Sequence, residues 1–314
     1  MTPDGFASLG ARMGEAALRQ RLALEREQDV HAYRHPTDFV RVEHLGFLGR
    51  LLHHALTLTG LRARGRRNAQ RLRVQRNEVR LAGLPAAFDG FTLLQLTDLH
   101  ADAGELYLQA MIAAVRGLAC DACVLTGDYR FSVDGPSGPA LDALRRLVPV
   151  LPGPVFAVLG NHDGIAFAPG LQGLGVQVLM NEHAVLQRDG ERLVIAGIDD
   201  AHYFRTHDIA RALQGVAAQD CIVLLSHTPA TYREAADAGV SLMLSGHTHG
   251  GQICLPGGIP VLTDCPAPRR FARGAWRFRA LAGYTSAGCG CSIIDARFQC
   301  PPEVVVHVLR AAPQ

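Results

Sequence analysis

The sequence predicts an α/β fold, and two observations lead to this prediction. From about residue 78 onward, short apolar runs typical of strands alternate with segments typical of helices. The apolar runs are nearly continuous, which indicates sheets covered on both faces. With 314 residues, 48% of them hydrophobic, the chain can form one large domain or two small ones.

Seven strands and four helices are predicted in this region. The strands are placed in 91–98, 122–128, 154–161, 193–200, 221–227, 241–247 and 303–309. The helices are placed in 105–118, 140–148, 208–216 and 231–239. A further helix is predicted in 8–35, where Ala, Leu, Glu and Arg dominate.

The N-terminal part of the chain is basic, with 15 arginines against 8 acidic residues in positions 1–80. Residues 44–60 form an amphipathic pattern on a helical wheel, and seven arginines follow between Arg62 and Arg76. This combination suits a helix lying on an anionic membrane, and it equally suits a helix packed on its own domain. No nucleic-acid-binding module accompanies the charge, so we expect no nucleic acid partner.

The chain shows no sign of a secreted or membrane-spanning protein. The opening residues lack a basic start and an apolar stretch, so no signal peptide is predicted. No apolar run reaches the roughly 18 residues that a transmembrane helix needs. Eight cysteines in a chain of this length do not require a disulfide framework. We therefore expect a cytoplasmic, reduced protein.

A polar residue able to bind a metal ion follows each of the six central predicted strands. Because ligands collect at the carboxyl ends of strands in open α/β sheets, these side chains can converge on one cleft. A single such residue is usually a turn former or a cap, but six together favour a site. They are Asp98, Asp128, Asn161, Asp199 with Asp200, His227 and His247.

The donor types in these motifs predict a metal site without cysteine. The motifs TDLH, TGDY, LGNHD, LSHTP and SGHTHGGQ offer carboxylates, one amide oxygen and several imidazoles. This set suits Mn²⁺, Fe or Zn²⁺, and Mg²⁺ less well because of the histidines. The donors outnumber what one ion can use, so a pair of ions sharing one carboxylate is the economical solution. Glycines beside the ligands let the backbone turn sharply, and an extended backbone would aim His247 and His249 to one side, one to each ion.

In order and spacing, these motifs resemble the calcineurin-like metallophosphoesterase superfamily. The flanking sequences NEVRLAGLPAAFDGFTLLQLTDLH, SGHTHGGQICLP and PPEVVVHVL resemble a bacterial branch of membrane-associated phosphodiesterases, which includes UDP-2,3-diacylglucosamine pyrophosphatases of lipid A synthesis. The resemblance covers residues 77–309. It implies a four-layer αββα sandwich of two mixed sheets in a metallophosphoesterase domain, 77–314, preceded by a helical basic extension, 1–76.

The resemblance also implies roles for individual residues. One metal ion would be held by Asp98, His100, Asp128 and His249, and a second by Asp128, Asn161, His227 and His247. His162 would contact the phosphoryl oxygens or the leaving group, and Asp163 would fix its ring. The two ions would activate water and neutralise the phosphoryl oxygens.

Several further residues are interpreted without the resemblance. The polar loop 201–207 contributes His202, Tyr203 and Arg205, which either bind substrate or form a solvated loop. Asp199 and Asp200 are expected to brace the site. Cys123 of the CDAC motif is expected in the core, and the C-terminal cysteines are expected to be free thiols.

The sequence thus predicts a phosphodiesterase or pyrophosphatase that uses two divalent ions, Mn²⁺ foremost, with Fe, Zn²⁺ or Mg²⁺ as alternatives. A lipid-linked nucleotide sugar such as UDP-2,3-diacylglucosamine is the expected substrate, met on the inner face of the cytoplasmic membrane through residues 44–76. Alternatives are a soluble phosphomonoesterase or cyclic-nucleotide phosphodiesterase and, from another class, a non-catalytic metal-bound scaffold. The scaffold is disfavoured because the full set of candidate ligands and His162 are present.

Overall fold

Two six-stranded sheets form the body of the protein in a computed structural model that describes residues 3–30, 53–133, 136–292 and 294–312. The first sheet has the order β1-β14-β2-β3-β4-β5. Its strands are β1 (Arg73–Leu81), β2 (Thr92–Leu96), β3 (Ala122–Leu125), β4 (Val155–Ala157), β5 (Gln177–Val178) and β14 (Glu303–Ala311). Only the pair β14–β2 is antiparallel in this sheet.

The second sheet has the order β12-β13-β9-β8-β7-β6. Its strands are β6 (Glu182–Arg188), β7 (Glu191–Gly197), β8 (Cys221–Leu225), β9 (Leu242–Ser245), β12 (Gly274–Phe278) and β13 (Leu281–Thr285). The strands from β13 to β7 are parallel, and the two outermost pairs are antiparallel. Between β9 and β12 lies a small hairpin of β10 (Cys254–Leu255) and β11 (Ile259–Pro260).

Alternate residues of the central strands face two different cores. In β3, Ala122 and Val124 lie in the core between the two sheets, where they meet residues such as Ile195 and Leu244. The intervening residues Cys123 and Leu125 lie in a core covered by helices. Both faces of these central strands are therefore buried, which explains the continuous apolar runs in the sequence. The predicted four-layer αββα sandwich of mixed sheets is confirmed.

The helices cover the outer faces of the sheets. They are α1 (Pro3–Met13), α2 (Glu15–Val30), α3 (Arg62–Ala69), α4 (Glu105–Val115), α5 (Gly138–Leu147), α6 (Phe167–Gln172), α7 (Ile209–Ala212) and α8 (Tyr232–Asp237). The seven predicted strands and the four predicted helices after residue 78 are all present, some with shorter bounds. Strands β1, β5, β6, β10, β11, β12 and β13 were not predicted.

The N-terminal segment packs onto this body. The helix predicted in 8–35 is two helices, because the chain turns at Gly14 with a φ of 99°, and residues 31–35 lie outside the described part. Leu9, Met13 and Leu18 are buried in the helix-covered core of the first sheet. Strand β1 begins at Arg73, so the predicted boundary between residues 76 and 77 falls within a strand; that division stays a prediction.

The predicted amphipathic helix 44–60 is described only from residue 53. Residues 53–58 are helical, and Leu56 packs with Ile294 and Ala296. Leu58, from the predicted apolar face, is 88% exposed. One part of the helix therefore packs on the domain, and another part faces outward. Among the described residues, no helix has both the length and the hydrophobicity needed to cross a bilayer.

Candidate metal centre

The carboxyl ends of five strands bring the candidate ligands together. Asp98, Asp128 and Asn161 follow β2, β3 and β4, which are adjacent and parallel in the first sheet. His227 and His247 follow β8 and β9, which are adjacent and parallel in the second sheet. The two sheets thus present their ligand-bearing ends to a common space.

Two buried clusters of possible metal donors form in this space. The first contains Asp98, His100 and His249, and the second contains Asp128, His227 and His247. Within each cluster, the donor atoms all lie within 4.8 Å of one another. Asp98 and His249 of the first cluster are 151 positions apart in the sequence, so no local motif could have produced that cluster.

Asn161 and His162 lie beside the second cluster. Asp128 Oδ2 lies 3.3 Å from His227 Nε2 and 3.7 Å from His162 Nε2. Asn161 Oδ1 lies 3.1 Å from the same His227 nitrogen. In the first cluster, His249 Nε2 lies 3.4 Å from Asp98 Oδ1 and 3.2 Å from His100 Nε2.

The ligand-bearing turns adopt a strained backbone. Asp98, His100, Asp128, His247 and His249 all have φ between 41° and 70°, the left-handed region that L-residues rarely occupy. The expected extended backbone at His247 and His249 is therefore wrong. These residues diverge because the chain turns back on itself there, and His249 begins a short 3₁₀ turn. The turn sends the two rings to different clusters.

Gly246 shows why glycine is needed beside a ligand. A Cβ at this position would overlap Thr97 Oγ1 and the carboxylate of Asp98. The close approach lets the next backbone N–H, that of His247, donate to both Asp98 oxygens at 3.1 Å. The glycine thus holds the second sheet directly against a carboxylate from the first.

Backbone carbonyls fix two of the rings with Nε2 facing the centre. A carbonyl only accepts, so Nδ1 of His100 donates to Arg130 O at 2.5 Å. In the same way, Nδ1 of His227 donates to Thr126 O at 2.8 Å. In its neutral form, each ring presents an unprotonated Nε2 to its cluster, as a metal ligand requires. For His227 this form requires loss of the proton that the Asp128 carboxylate stabilises.

His249 is held differently, because Arg297 Nη2 donates to its Nδ1 at 3.2 Å. This contact places the proton of the neutral ring on Nε2, directed at Nε2 of His100.

Burial strongly shifts the protonation of the side chains in these clusters. Burial raises the pKa of Asp98 to about 6, and the nearby Asp128 carboxylate adds to this rise. Burial and the neighbouring His162 lower the pKa of His100 to about 3. Burial also opposes the charged form of His227, but Asp128 outweighs it and raises the pKa of His227 to about 10.

The chemistry of these donors fits a divalent cation. Two carboxylates, at most 2% exposed, face the same space with the Nε2 atoms of several imidazoles. Burying this much carboxylate charge is costly unless a compensating positive charge is present. Oxygen and imidazole nitrogen donors without thiolates suit Mn²⁺, Fe or Zn²⁺.

His162 lies beside the clusters, but Asp163 does not orient it as expected. Nδ1 of His162 lies 3.0 Å from Phe131 O, which fixes the ring, while Nε2 faces Asp128. The Asp163 carboxylate instead accepts three backbone N–H groups, from Gly160, Asp128 and Tyr129. Asp163 therefore ties the turn after β3 to the turn after β4.

Asp199 and Asp200 are placed as braces, as expected, and neither lies in a donor cluster of the described residues. The Asp200 carboxylate accepts backbone N–H groups of His202, Tyr203 and Phe204. This turn places the His202 ring 4.1 Å from the His247 ring, centroid to centroid.

The loop 201–207 brings His202 to the centre. His202 Nε2 lies 3.6 Å from Asp264 Oδ2, and both residues form a third group of possible metal donors with His247. The Tyr203 ring packs edge-on against Phe204, and Arg205 O receives a hydrogen bond from Gln20.

Two fully buried arginines hold the centre from behind, and neither was predicted from the sequence. Arg297 donates to Ala287 O and Gly290 O as well as to His249. Arg21, on α2, donates to Asp199 Oδ1 at 2.7 Å and to Asp163 O, and its guanidinium lies over the Phe204 ring. On the same helix, Glu25 accepts the backbone N–H of Ile165. Helix α2 therefore joins the loop after His162 to the loop that carries His202.

All eight cysteines are free thiols. Cys123 lies in the core, as expected for the CDAC motif, and Cys289 and Cys291 lie in the same cluster. Cys254 and Cys300 donate to backbone carbonyls of the His249–Gly250 turn.

Comparison with known proteins agrees with this architecture. Residues 91–251 match the model of the calcineurin-like phosphoesterase family. The uncharacterized metallophosphoesterase YkuE of Bacillus subtilis is 30% identical over 241 residues, which cover 73% of this chain and 82% of that protein. The phosphodiesterase YaeI of Escherichia coli is 27% identical over 229 residues, 69% of this chain and 81% of that protein.

A eukaryotic relative is longer. The transmembrane protein with metallophosphoesterase domain of Danio rerio is 33% identical over 254 residues, which cover 75% of this chain and 56% of that protein. With its family match, its clustered donors and its mixed-sheet sandwich, this chain belongs to the calcineurin-like phosphoesterases and is a metal-dependent phosphoester hydrolase.

Proposed function

We propose that the chain hydrolyses a phosphodiester or pyrophosphate bond with two divalent ions that share the Asp128 carboxylate. One observation carries this proposal: two separate groups of buried donors lie side by side, with Asp128 between the rings of His227 and His162. One ion uses Asp98, His100, Asp128 and His249. The other uses Asp128, Asn161, His227 and His247. Mn²⁺ is our first choice, on the donor set alone.

When bound, two such ions supply charge neutralisation and Lewis acidity for transfer of a phosphoryl group to water. The residues of the chain do the remaining work. His162 points Nε2 into the centre because Phe131 O holds its other nitrogen. When protonated, this nitrogen donates to a phosphoryl oxygen or to the leaving group. Asp163 fixes the turn on which His162 stands.

We place the substrate on the side of the centre lined by His202. Its ring contacts that of His247 at a tilt of 47° and pairs with Asp264, so its orientation is set from two sides. Tyr203 and Arg205 follow on the same turn, and we propose that they contact the part of the substrate beyond the phosphoryl group.

The substrate class we favour is a lipid-linked nucleotide sugar pyrophosphate such as UDP-2,3-diacylglucosamine, met at an anionic membrane surface. Support comes from the sequence resemblance, from relatives named phosphodiesterase and transmembrane protein, and from the arginines after residue 60. Of the seven arginines from Arg62 to Arg76, six are exposed: Arg64, Arg66, Arg67, Arg71, Arg73 and Arg76. A soluble phosphomonoester or cyclic nucleotide is the alternative substrate.

Asp128→Asn is expected to remove both ions, because this carboxylate lies in both proposed ligand sets. Asp98→Asn is expected to weaken only one. Elemental analysis of purified protein, with bis-p-nitrophenyl phosphate hydrolysis in added Mn²⁺, measures both effects. Asp237→Asn, at an exposed carboxylate, should leave metal content and turnover unchanged. Two ions retained in Asp128→Asn would contradict the shared-carboxylate arrangement.

His162→Gln is expected to lower kcat by about 10²–10⁴-fold with metal content unchanged, because the ring transfers a proton without holding a metal ion. Steady-state kinetics on bis-p-nitrophenyl phosphate, with elemental analysis of the same sample, tests this. The matched control is His183→Gln. His183 lies on the edge strand β6, away from the centre, and donates to Ala212 O. Metal loss in His162→Gln would instead make His162 a ligand.

Arg21→Met is expected to lower kcat at least about tenfold while the ions stay bound, because a shift of about 1 Å near the reacting groups can cost about 10²-fold. We propose Arg21 as a positioning residue, acting through the Asp163 carbonyl and the Asp199 loop. Turnover is measured below the unfolding transition of the variant. Arg19→Met, on the exposed face of the same helix, is the control. An unchanged kcat would leave Arg21 with a purely structural role.

Charge reversal at Arg64 and Arg67 is expected to slow hydrolysis of UDP-2,3-diacylglucosamine presented in anionic vesicles, and to leave bis-p-nitrophenyl phosphate hydrolysis unchanged. Surface arginines add attraction to anionic lipid of about 1 kcal/mol each. The control Arg116→Glu/Arg233→Glu carries the same change in charge elsewhere on the surface. If wild-type protein cleaves cyclic nucleotides or phosphomonoesters well and the diacylated substrate poorly, the lipid assignment is wrong.

A further inference from the structure

A short hairpin near the metal centre exposes an unusual amount of apolar surface. We call residues 255–262 the apolar hairpin. Within it, Leu255 is 55% exposed, Ile259 57%, Val261 50% and Leu262 46%. Only ten large hydrophobic residues of the described part are exposed, and four of them stand in this one stretch. Single exposed apolar residues are ordinary, but a cluster marks an interaction surface.

The apolar hairpin is fixed to the turn that carries His249. A Cβ at Gly251 would overlap Pro260 and reach Leu262 O at 3.0 Å, so β11 lies directly on this turn. From the other side, the Cys254 thiol donates to Gly250 O at 3.2 Å. A ligand held by the apolar hairpin is therefore held close to the metal centre.

Arginines flank the apolar hairpin. Arg269 Nη2 donates to Val261 O at 3.4 Å, and Arg269 and Arg270 are both exposed. Ile253, just before β10, packs in the same apolar cluster as Leu56. That contact places the helix 53–58, with its exposed Leu58, against the same part of the domain, and Arg64 and Arg67 follow it. The acidic side chains nearby are engaged, Asp264 with His202 and Asp295 with Arg62 and Arg66.

We propose that the apolar hairpin inserts into the interface of an anionic phospholipid bilayer and sets the metal centre at the level of the lipid headgroups. Apolar side chains among arginines suit this interface, where hydrocarbon and phosphate lie a few ångströms apart. A stable protein partner would need roughly 800 Å² of surface on each side, more than one such hairpin offers. Bilayer insertion requires only that a few side chains leave water. The inference deepens the proposed lipid-linked substrate and rests on it.

Vesicle co-sedimentation of the full chain tests the surface. The variant Ile259→Ser/Val261→Ser/Leu262→Ser is expected to bind phosphatidylcholine–phosphatidylglycerol vesicles at least about tenfold more weakly than wild type, since each buried apolar side chain contributes to partitioning. Val185→Ser, at an exposed valine on β6, should bind as wild type does. Turnover of bis-p-nitrophenyl phosphate reports whether the triple variant is folded. Undiminished vesicle binding by a folded triple variant would overturn the proposal.

A single added tryptophan gives a test that does not depend on losing binding. Trp276 is the only tryptophan in the chain and is buried. The emission of Ile259→Trp is expected to shift to shorter wavelength with anionic vesicles and to be quenched by brominated lipid. Val185→Trp should show neither change. If Ile259→Trp binds vesicles without a shift, the apolar hairpin stays outside the bilayer.

The two proposals can fail separately. If wild-type protein binds vesicles through the apolar hairpin but does not cleave a diacylated pyrophosphate, the substrate assignment fails and the docking surface stands. If it cleaves that substrate in detergent and the triple variant does so equally well from vesicles, the docking surface fails. A dimer that forms in solution without lipid and is lost in the triple variant would show that a second copy covers the apolar hairpin.

Discussion

The burial of two carboxylates at the meeting point of two sheets is the constraint on which the structure depends. Asp98 is fully buried and Asp128 is 2% exposed. Charged groups in such surroundings require hydrogen bonds and opposite charge to remain ionised. The imidazoles and the glycine-lined turns both serve this requirement. A centre that attracts divalent cations strongly is its direct consequence.

The backbone at this centre is rigid because several unrelated segments support it. The left-handed turns at Asp98, Asp128 and His247 would relax if they were isolated, since L-residues disfavour this region. Asp163 opposes such relaxation at Asp128 by accepting the backbone N–H groups of Asp128 and Tyr129, and it ties this turn to the one after β4 by accepting that of Gly160. Arg297 stabilises the turn that carries His249 by donating to the backbone carbonyl and to the ring of this residue. Catalytic geometry is thereby fixed before any substrate arrives.

The N-terminal helices take part in this support. Helix α2 lies outside the region that matches the family, yet its Arg21 reaches the loops that follow β4 and β7. The guanidinium is fully buried, and Asp199 and Glu25 raise its pKa against the effect of burial. Helix α2 therefore contributes to the support of the site.

The sequence by itself determined the strands that bear ligands and the type of each ligand. Apolar runs and the polar residues that end them are local features, so Asp98, Asp128, Asn161, His227 and His247 could be predicted with their strands. Their meeting in one space also followed, since parallel strands present their carboxyl ends to one edge. The edge strand β6 has no buried residue, so it lacks the apolar run from which the central strands were predicted.

Only the tertiary structure decided what supports these ligands. The bond between Arg21 and Asp199 joins residues 178 positions apart, and an arginine in an amphipathic helix looks the same whether it is buried or solvated. The turn at His247 and His249 departs from extended geometry because Gly246 must pass against Asp98. Asp163 accepts hydrogen bonds from three backbone N–H groups instead of holding the His162 ring, because the fold places those groups around its carboxylate. Such contacts depend on which segments the fold brings together, and no local pattern encodes them.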